Sequence, residues 1–315
     1  MLSLGLVSLL GWVSLLGAEP TGPTPEFEEP STRETMDEST MRVVLLGTGT
    51  PNAEPERSGP ASAILWGGRA YIVDFGPGVV RRASAAFARG HKALRASNLN
   101  VGFLTHLHSD HTTGYADLIF TPWVLGRKVP LRVIGPPGTA AMTGHLEAAY
   151  AEDIRIRTEG LERAHPGGHR VEVTEVTAGQ VFEDGNLKVT AFPVDHGSWR
   201  HALGYRFDTP ERSIVISGDT GPSRSLVESA RGCDVLVHEV YCQAGFDRQP
   251  AKWGRYHKSF HTSTTELAAI AAEVQPKLLV LYHQLRWGCT DEQLVAEIQA
   301  HWSGKVLSGN DLDVF

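Results

Sequence analysis

A chain of 315 residues, 41% hydrophobic and 21% charged, carries enough apolar surface to build a substantial core, which excludes disorder throughout. Acidic residues outnumber basic ones 36 to 29 for a net charge of -7, and no Lys/Arg-rich run stands ready to displace counterions from a phosphate backbone. A dedicated nucleic-acid binder is therefore disfavoured.

The opening "MLSLGLVSLLGWVSLLGA" is apolar and uncharged, ends on the small residue Ala18, and reads as a signal peptide, with an N-terminal membrane anchor as the alternative. A periplasmic or secreted location follows from that reading. Residues 19–40, "EPTGPTPEFEEPSTRETMDEST", are rich in Pro, Glu, Ser and Thr; they cannot bury enough apolar surface to fold and read as a disordered linker. Regular patterning begins at Met41, so residues 41–315 are the expected folded domain.

"MRVVLLGTGT", "ASAILWGG" and "AYIVDFG" are short β-rich runs separated by Gly and Pro, a meander of strands. Helical spacing in "GVVRRASAAFARG" stops at Gly90. "LNVGFLT" is another strand; it runs straight into "HLHSDH", residues 106–111, and then the apolar "YADLIFTPWVL". "LRVIGPPG" reads as a strand entering a turn and "TAAMTGHLEAAYAEDI" as one helix. Asp-Gly-Asn within "VFEDGNLKVTAFPVDH" signals a hairpin, and "HALGYRFDTPERSIVISGDT" repeats the device with Thr209 and Pro210 at the turn. Strand "DVLVHEV", helix "TSTTELAAIAAEVQ", strand "KLLVLYH", helix "TDEQLVAEIQAHW" and a short final strand near "LDVF" complete the chain. Strands and helices mix in both halves without a repeat period, which predicts two sheets face to face with helices outside. Cys233, Cys242 and Cys289 are odd in number and follow no zinc-finger spacing, so no disulfide framework or thiolate metal site can be inferred from them, and buried thiols are the preferred reading.

The histidine cluster carries the chemistry. His106, His108, Asp110 and His111 are delivered together by the strand before them, and imidazoles with a carboxylate suit zinc or iron. Four donors in six residues exceed what one catalytic ion needs, so His106 and His108 are assigned to one ion, Asp110 and His111 to a second. Other apolar runs each end in one further donor: "VDH" at His196, "ISGDT" at Asp219 and "LVLYH" at His283. Asp74, after "YIV", either holds a ligating imidazole in place or initiates a turn. "GTGTP" lacks the Lys and the following helix of a phosphate loop and reads as a turn closing the first strand.

Through these residues the sequence resembles the metallo-β-lactamase superfamily, whose HxHxDH signature is matched by His106, His108, Asp110 and His111. The resemblance implies a four-layer αββα sandwich, with His196 completing the first metal site, His283 the second, and Asp219 bridging both. It implies two zinc ions, manganese or iron being alternatives, with a shared hydroxide as nucleophile that Asp110 orients or deprotonates. "LGTGTP", "VHEV" with Glu239 and "FHTST" with His261 look most like the ribonuclease Z and arylsulfatase-like branch, although Thr262 stands where that branch has serine. In that branch Glu239 and His261 would form a carboxylate–imidazole pair assisting the leaving group. The bland reading makes His261 the start of a helix and His238 a structural residue of a strand.

The expected activity is hydrolysis of small anionic esters, phosphodiester or sulfate, by an exported protein, with a homodimer expected by analogy. The alternative is ribonuclease Z-type maturation of transfer-RNA 3′ ends. Against it stand the leader, the acidic balance, the short mixed-charge segment "GHLEAAYAEDIRIRTEGLERAHPGG" where a long Gly/Lys-rich arm would be needed, and "HQLRWG" after the last donor. Lactone, β-lactam or thioester cleavage, and a di-iron or catalytically silent metal protein, remain as further readings on the same donors. Trp199, Tyr205 and Trp253 are candidates for the rim of the site, with ordinary core or surface aromatics as the alternative.

Overall fold

The structure, a computed structural model, describes residues 40–315. The expected signal peptide at residues 1–18 and the linker up to residue 39 lie outside the described residues. Among the described residues no helix is long and apolar enough to cross a membrane.

The first half runs β1 (Arg42–Gly47), β2 (Ala61–Trp66), β3 (Arg69–Val73), α1 (Val79–Ala88), β4 (Val101–Phe103), α2 (Ser109–Thr112), α3 (Tyr115–Val124), β5 (Leu131–Gly135), α4 (Thr139–Ala149), α5 (Ala151–Glu159) and β6 (Val171–Glu175). Its strands form a sheet in sequence order, antiparallel from β1 to β3 and parallel from β3 to β6. The second half runs β7 (Gly179–Asp184), β8 (Leu187–Pro193), β9 (Leu203–Asp208), β10 (Ser213–Ile216), α6 (Arg224–Ala230), β11 (Val235–Tyr241), α7 (Gln243–Asp247), α8 (Ala251–Phe260), α9 (Thr264–Val274), β12 (Leu278–Leu285), α10 (Asp291–Gln299) and β13 (Val306–Ser308). Its sheet runs from β13 to β7, with the two expected hairpins giving β7 to β10 and parallel pairing linking β10 to β13.

Covered on both faces, the central strands do not alternate: every residue of β11 is buried, His238 and Glu239 included. Between the sheets, Phe103 of β4 meets Phe182, Tyr205 and Phe207 edge-on at 5.6, 5.3 and 5.5 Å. On the outer face of the first sheet Leu46 and Ile72 pack against Val80 of α1 and Leu118 of α3. On that of the second, Leu236 and Leu279 pack with Leu226, Leu267 and Leu294 of α6, α9 and α10. These three apolar layers make the expected αββα sandwich.

Several local readings need correction. Tyr205, expected as a rim candidate, is fully buried between the sheets and donates its hydroxyl to the Leu104 carbonyl at 2.8 Å, because β9 presents it to the inner face. The single helix expected from Thr139 is two, broken at Tyr150 (φ -103°), whose ring packs on Phe120 at 4.5 Å where the chain changes direction. The last strand is β13, while the chain end near "LDVF" makes an isolated bridge from Val314 to Val44, covering the open edge of β1. Cys242 and Cys289 are disulfide-bonded across 47 residues, a pairing set by how β11 and β12 end side by side and invisible in the spacing. Cys233 is a buried thiol as expected, pushed up to about 12 by burial.

Two devices stabilise the helices nearest the site. Pro122 within α3 removes the donor for the Leu118 carbonyl, and the buried Arg127 supplies one, with guanidinium bonds to Leu118 and Ile119 carbonyls at 3.0 and 2.6 Å. Capping boxes, Ser263 with Glu266 and Thr290 with Gln293, start α9 and α10, each worth about 1 kcal/mol.

Candidate metal centre

The donor side chains gather where β3, β4, β8, β10, β11 and β12 end. After β4 the chain enters the single turn α2, capped at His108, which carries Asp110 and His111 back over the sheet edge. On β12, Glu239 pairs with Tyr282 and Val240 with Gln284, so His283 is the extra residue of a β-bulge. Its φ of 46° is one of few positive values at a non-glycine residue, and the bulge turns the imidazole toward the cluster. Asp74, at φ 61°, is another. Gly218 precedes Asp219 at φ 63°, where a Cβ would stand 2.8 Å from the Leu203 carbonyl oxygen, so glycine is what lets this turn close.

Two groups of ligand atoms result, joined by one carboxylate. In the first, His108 Nδ1 lies 2.9 Å from His106 Nε2 and 3.1 Å from His196 Nε2, and Asp219 Oδ2 is 4.0 Å from His106 Nε2. In the second, Asp110 Oδ2 is 3.3 Å from His283 Nε2 and 3.6 Å from His111 Nε2. Asp219 closes this group too, 3.3 Å from His111 Nε2 and 3.4 Å from His283 Nε2. A tetrahedral ion with bonds near 2.1 Å separates its ligand atoms by about 3.4 Å, which these spacings bracket. His111 Nε2 and Asp219 Oδ1 are buried and face each other without the alignment of a hydrogen bond. Buried orphans of this kind ask for a cation. The donor set therefore fits divalent metal.

The backs of the imidazoles are tied down. His111 Nδ1 meets Asp74 Oδ2 at 2.8 Å, and the Thr105 hydroxyl donates to Asp74 at 2.9 Å while facing His106 Nδ1 at 3.0 Å. The carbonyl of Phe260 accepts from His196 Nδ1 at 2.7 Å. A carbonyl only accepts, so His196 carries its proton there and turns the Nε2 lone pair inward. Asp74 thus supports the imidazoles and does more than start a turn. His108 is the exception, since Trp199 Nε1 donates to its Nε2 at 2.6 Å and so favours a proton on Nδ1, the atom that faces the cluster.

The field in the site is negative. Burial opposes charge on His111, yet Asp219 and Asp74 outweigh it and raise this imidazole well above its ordinary value. Burial likewise opposes charge on His283, which Asp219 and its hydrogen bond to Asp110 raise. Burial would lift Asp219, but the charges of His283 and His111 hold it well below the carboxylate range. His106 is lowered well below its ordinary value and His196 to about 3, in both cases by burial first, which leaves their nitrogens free as ligands.

Beside the cluster, His261 Nδ1 stands 3.3 Å from Glu239 Oε1, which also accepts from the Thr220 and Thr262 amides at 3.2 and 3.1 Å. Burial drives Glu239 well above the carboxylate range and His261 down to about 4. His261 does not open a helix: it ends α8, and Ser263 caps α9. It also falls in a third group with Asp219 and His283. His238 is buried, its Nδ1 2.6 Å from the Glu239 carbonyl, in the structural place expected of it. The "GTGTP" turn is packed shut, since a Cβ on Gly47 would fall 1.8 Å from the Gly59 carbonyl oxygen. Sequence reasoning missed Thr105, although it adjoins the cluster, and Phe260, whose role is carried by a backbone carbonyl that no side chain announces.

Comparison with known proteins gives the family. The Beta-lactamase superfamily domain matches residues 69–284. The chain is similar to Ribonuclease Z of Mycobacterium bovis strain BCG / Pasteur 1173P2, 34% identical over 280 residues that cover 86% of this chain and 96% of that protein. In fold it is similar to the metallo-beta-lactamase fold protein YhfI of Bacillus subtilis, with a TM-score of 0.67 at 19% identity, covering 88% of this chain and 100% of that one. Human tRNase Z, short form, gives a TM-score of 0.60 at 21% identity, with 87% and 98% covered.

Proposed function

This chain belongs to the metallo-β-lactamase superfamily of hydrolases, and on that premise we propose that it cleaves phosphodiester bonds with a pair of divalent cations, zinc first, in the manner of ribonuclease Z. The observation that carries the proposal is the position of Asp219, one carboxylate oxygen of which is 4.0 Å from His106 of the first donor group while the carboxylate lies 3.3 and 3.4 Å from His111 and His283 of the second. Bound there, divalent ions supply Lewis-acid stabilisation of charge on a phosphoryl oxygen and a water acidified toward neutral pH. In the proposal His106, His108 and His196 would hold one ion and Asp110, His111 and His283 the other, with Asp219 available to both. Asp110, its Oδ2 3.3 Å from His283 Nε2, would orient the attacking water and accept its proton. His261, neutral and backed by Glu239, would donate a hydrogen bond to the departing oxygen.

The choice of RNA rests on the relatives named Ribonuclease Z, and it reverses the preference drawn from the leader, the acidic balance, the short mixed-charge segment and the "HQLRWG" ending. A second reading, a small anionic ester, is favoured by one observation. On α5 the basic side chains are neutralised within the segment: Arg155 pairs with Glu152 at 2.8 Å, and Arg157 with Asp153 and Glu162 at 3.0 and 2.6 Å. They leave little free positive charge for an RNA backbone. The Cys242–Cys289 bond further supports an oxidising compartment.

The test is a panel containing a transfer-RNA precursor with a 3′ trailer, bis(4-nitrophenyl) phosphate, 4-nitrophenyl sulfate and a lactone, assayed with added zinc. Cleavage of the precursor at the trailer supports the proposal. Turnover confined to the small esters moves the assignment to the second reading, and turnover of the lactone alone overturns both.

A further inference from the structure

One element bordering the cluster contributes no residue to the buried core. Helix α8, "AKWGRYHKSF", buries none of its residues, yet Trp253, Tyr256, His257 and Phe260 recur at the i, i+3, i+4, i+7 spacing of a single stripe. Such a stripe normally packs against the body; here Trp253 is 46% and Tyr256 39% exposed. The stripe is continuous with the metal centre. Phe260 lies 4.9 Å from the His196 ring and stacks at 6.3 Å on His108. Tyr256 stacks on Phe260 at 4.4 Å, and Trp253 meets Tyr256 edge-on at 6.1 Å. The Tyr256 phenol is pushed up by burial and then by the carboxylates of Asp219 and Asp110, which sets its hydroxyl within their field. Gly197, at φ 55°, admits the Phe260 ring where a Cβ would stand 2.1 Å from it.

The same helix is cationic. Lys252, Arg255 and Lys258 fall between Gln249 and Thr262 with no acidic residue among them, in a chain of net charge -7. Aromatic rings interleaved with cations beside a phosphodiesterase centre match the chemistry of unpaired nucleotides, whose bases stack and whose phosphates need neutralising.

Resting on the phosphodiesterase reading, we propose that α8 is the recognition wall of the site: Trp253 and Tyr256 stack the unpaired bases flanking the scissile bond of an RNA strand, and Lys252 and Arg255 neutralise its phosphates. Recognition here is by ring stacking, indifferent to base identity, and it carries the substrate contact that the self-paired charges of α5 do not offer.

The experiment measures binding without hydrolysis, so that it stands apart from the catalytic assignment. The full chain is titrated in a chelator with a fluorescein-labelled single-stranded oligoribonucleotide and with an abasic strand of the same length and charge, read by anisotropy. Base–aromatic stacking is worth about 1–3 kcal/mol per base, so the wild type is expected to favour the base-bearing strand by at least about 10-fold. The double variant Trp253→Ala, Tyr256→Ala should lose that preference, while Trp253→Phe with Tyr256→Phe should restore most of it. Lys252→Glu with Arg255→Glu should weaken both strands alike and flatten the salt dependence. Circular dichroism checks that each variant is folded. Equal affinity for the two strands in the wild type, or an undiminished preference in the alanine variant, overturns the proposal. RNA that binds with base preference but is never cleaved leaves the wall standing and removes the ribonuclease reading instead.

Discussion

The two sheets supply the site in opposite ways. The first gives His106, His108, Asp110 and His111 from one turn after β4 and braces them locally, through Asp74 and Thr105, which follow the neighbouring parallel strands β3 and β4. The second gives one residue from each of several distant places: His196 after β8, Asp219 after β10, Glu239 on β11, His261 after α8 and His283 on β12. It secures them by long-range means, a β-bulge at His283, a backbone carbonyl of Phe260 on His196, and a disulfide from the end of β11 to the turn after β12. A local cluster needs hydrogen bonds to stay put, whereas a dispersed one needs its loops fastened to each other.

The sharpest way to break this comparison is to remove the carboxylate on which both halves converge. Asp219→Ala should cut turnover by about 10³-fold or more while circular dichroism shows the fold retained, and Asp110→Ala should do the same from the first half. Retained activity in either would remove that residue from the reaction. The fastening of the second half is tested next: a bond closing a 47-residue loop is worth up to about 4 kcal/mol in chain entropy, so reduction should lower the melting temperature by roughly 5–10 °C. An unchanged melting curve would mean that the wall carrying His261 is held by packing alone. Bracing in the first half is probed by Asp74→Ala, expected to weaken zinc binding about 10–100-fold by competition titration, with little change if Asp74 only shapes the turn.

The smallest effect concerns the contact that joins the halves. Trp199 holds His108 in the tautomer whose Nδ1 proton obstructs a ligand. Trp199→Phe should therefore strengthen zinc binding by about 5-fold, the equivalent of one hydrogen bond of about 1 kcal/mol. Weaker binding in that variant would show instead that the indole supports the ligand.

The same contrast explains what could be read from the sequence. The turn at residues 106–111 announced itself because its donors are adjacent, and His196, Asp219 and His283 because each ends an apolar run. The sandwich was legible from strand and helix signals repeated in both halves. What escaped depends on contacts between segments far apart in the chain. Cys242 and Cys289 meet only because β11 and β12 are parallel neighbours, and Tyr205 is interior only because β9 packs against Phe103. The aromatic stripe of α8 was present in "WGRYHKSF" but could not be aimed at the centre until Phe260 was seen beside His196.

Whether the seven side chains hold a pair of cations is settled most directly by counting metal in the purified protein by mass spectrometry, before and after His283→Ala. Two equivalents of zinc or a related divalent ion per wild-type chain, falling toward one in the variant, is the expected result. Protein that takes up no divalent ion when dialysed against zinc, or that binds a single equivalent unaffected by His283→Ala, would contradict it.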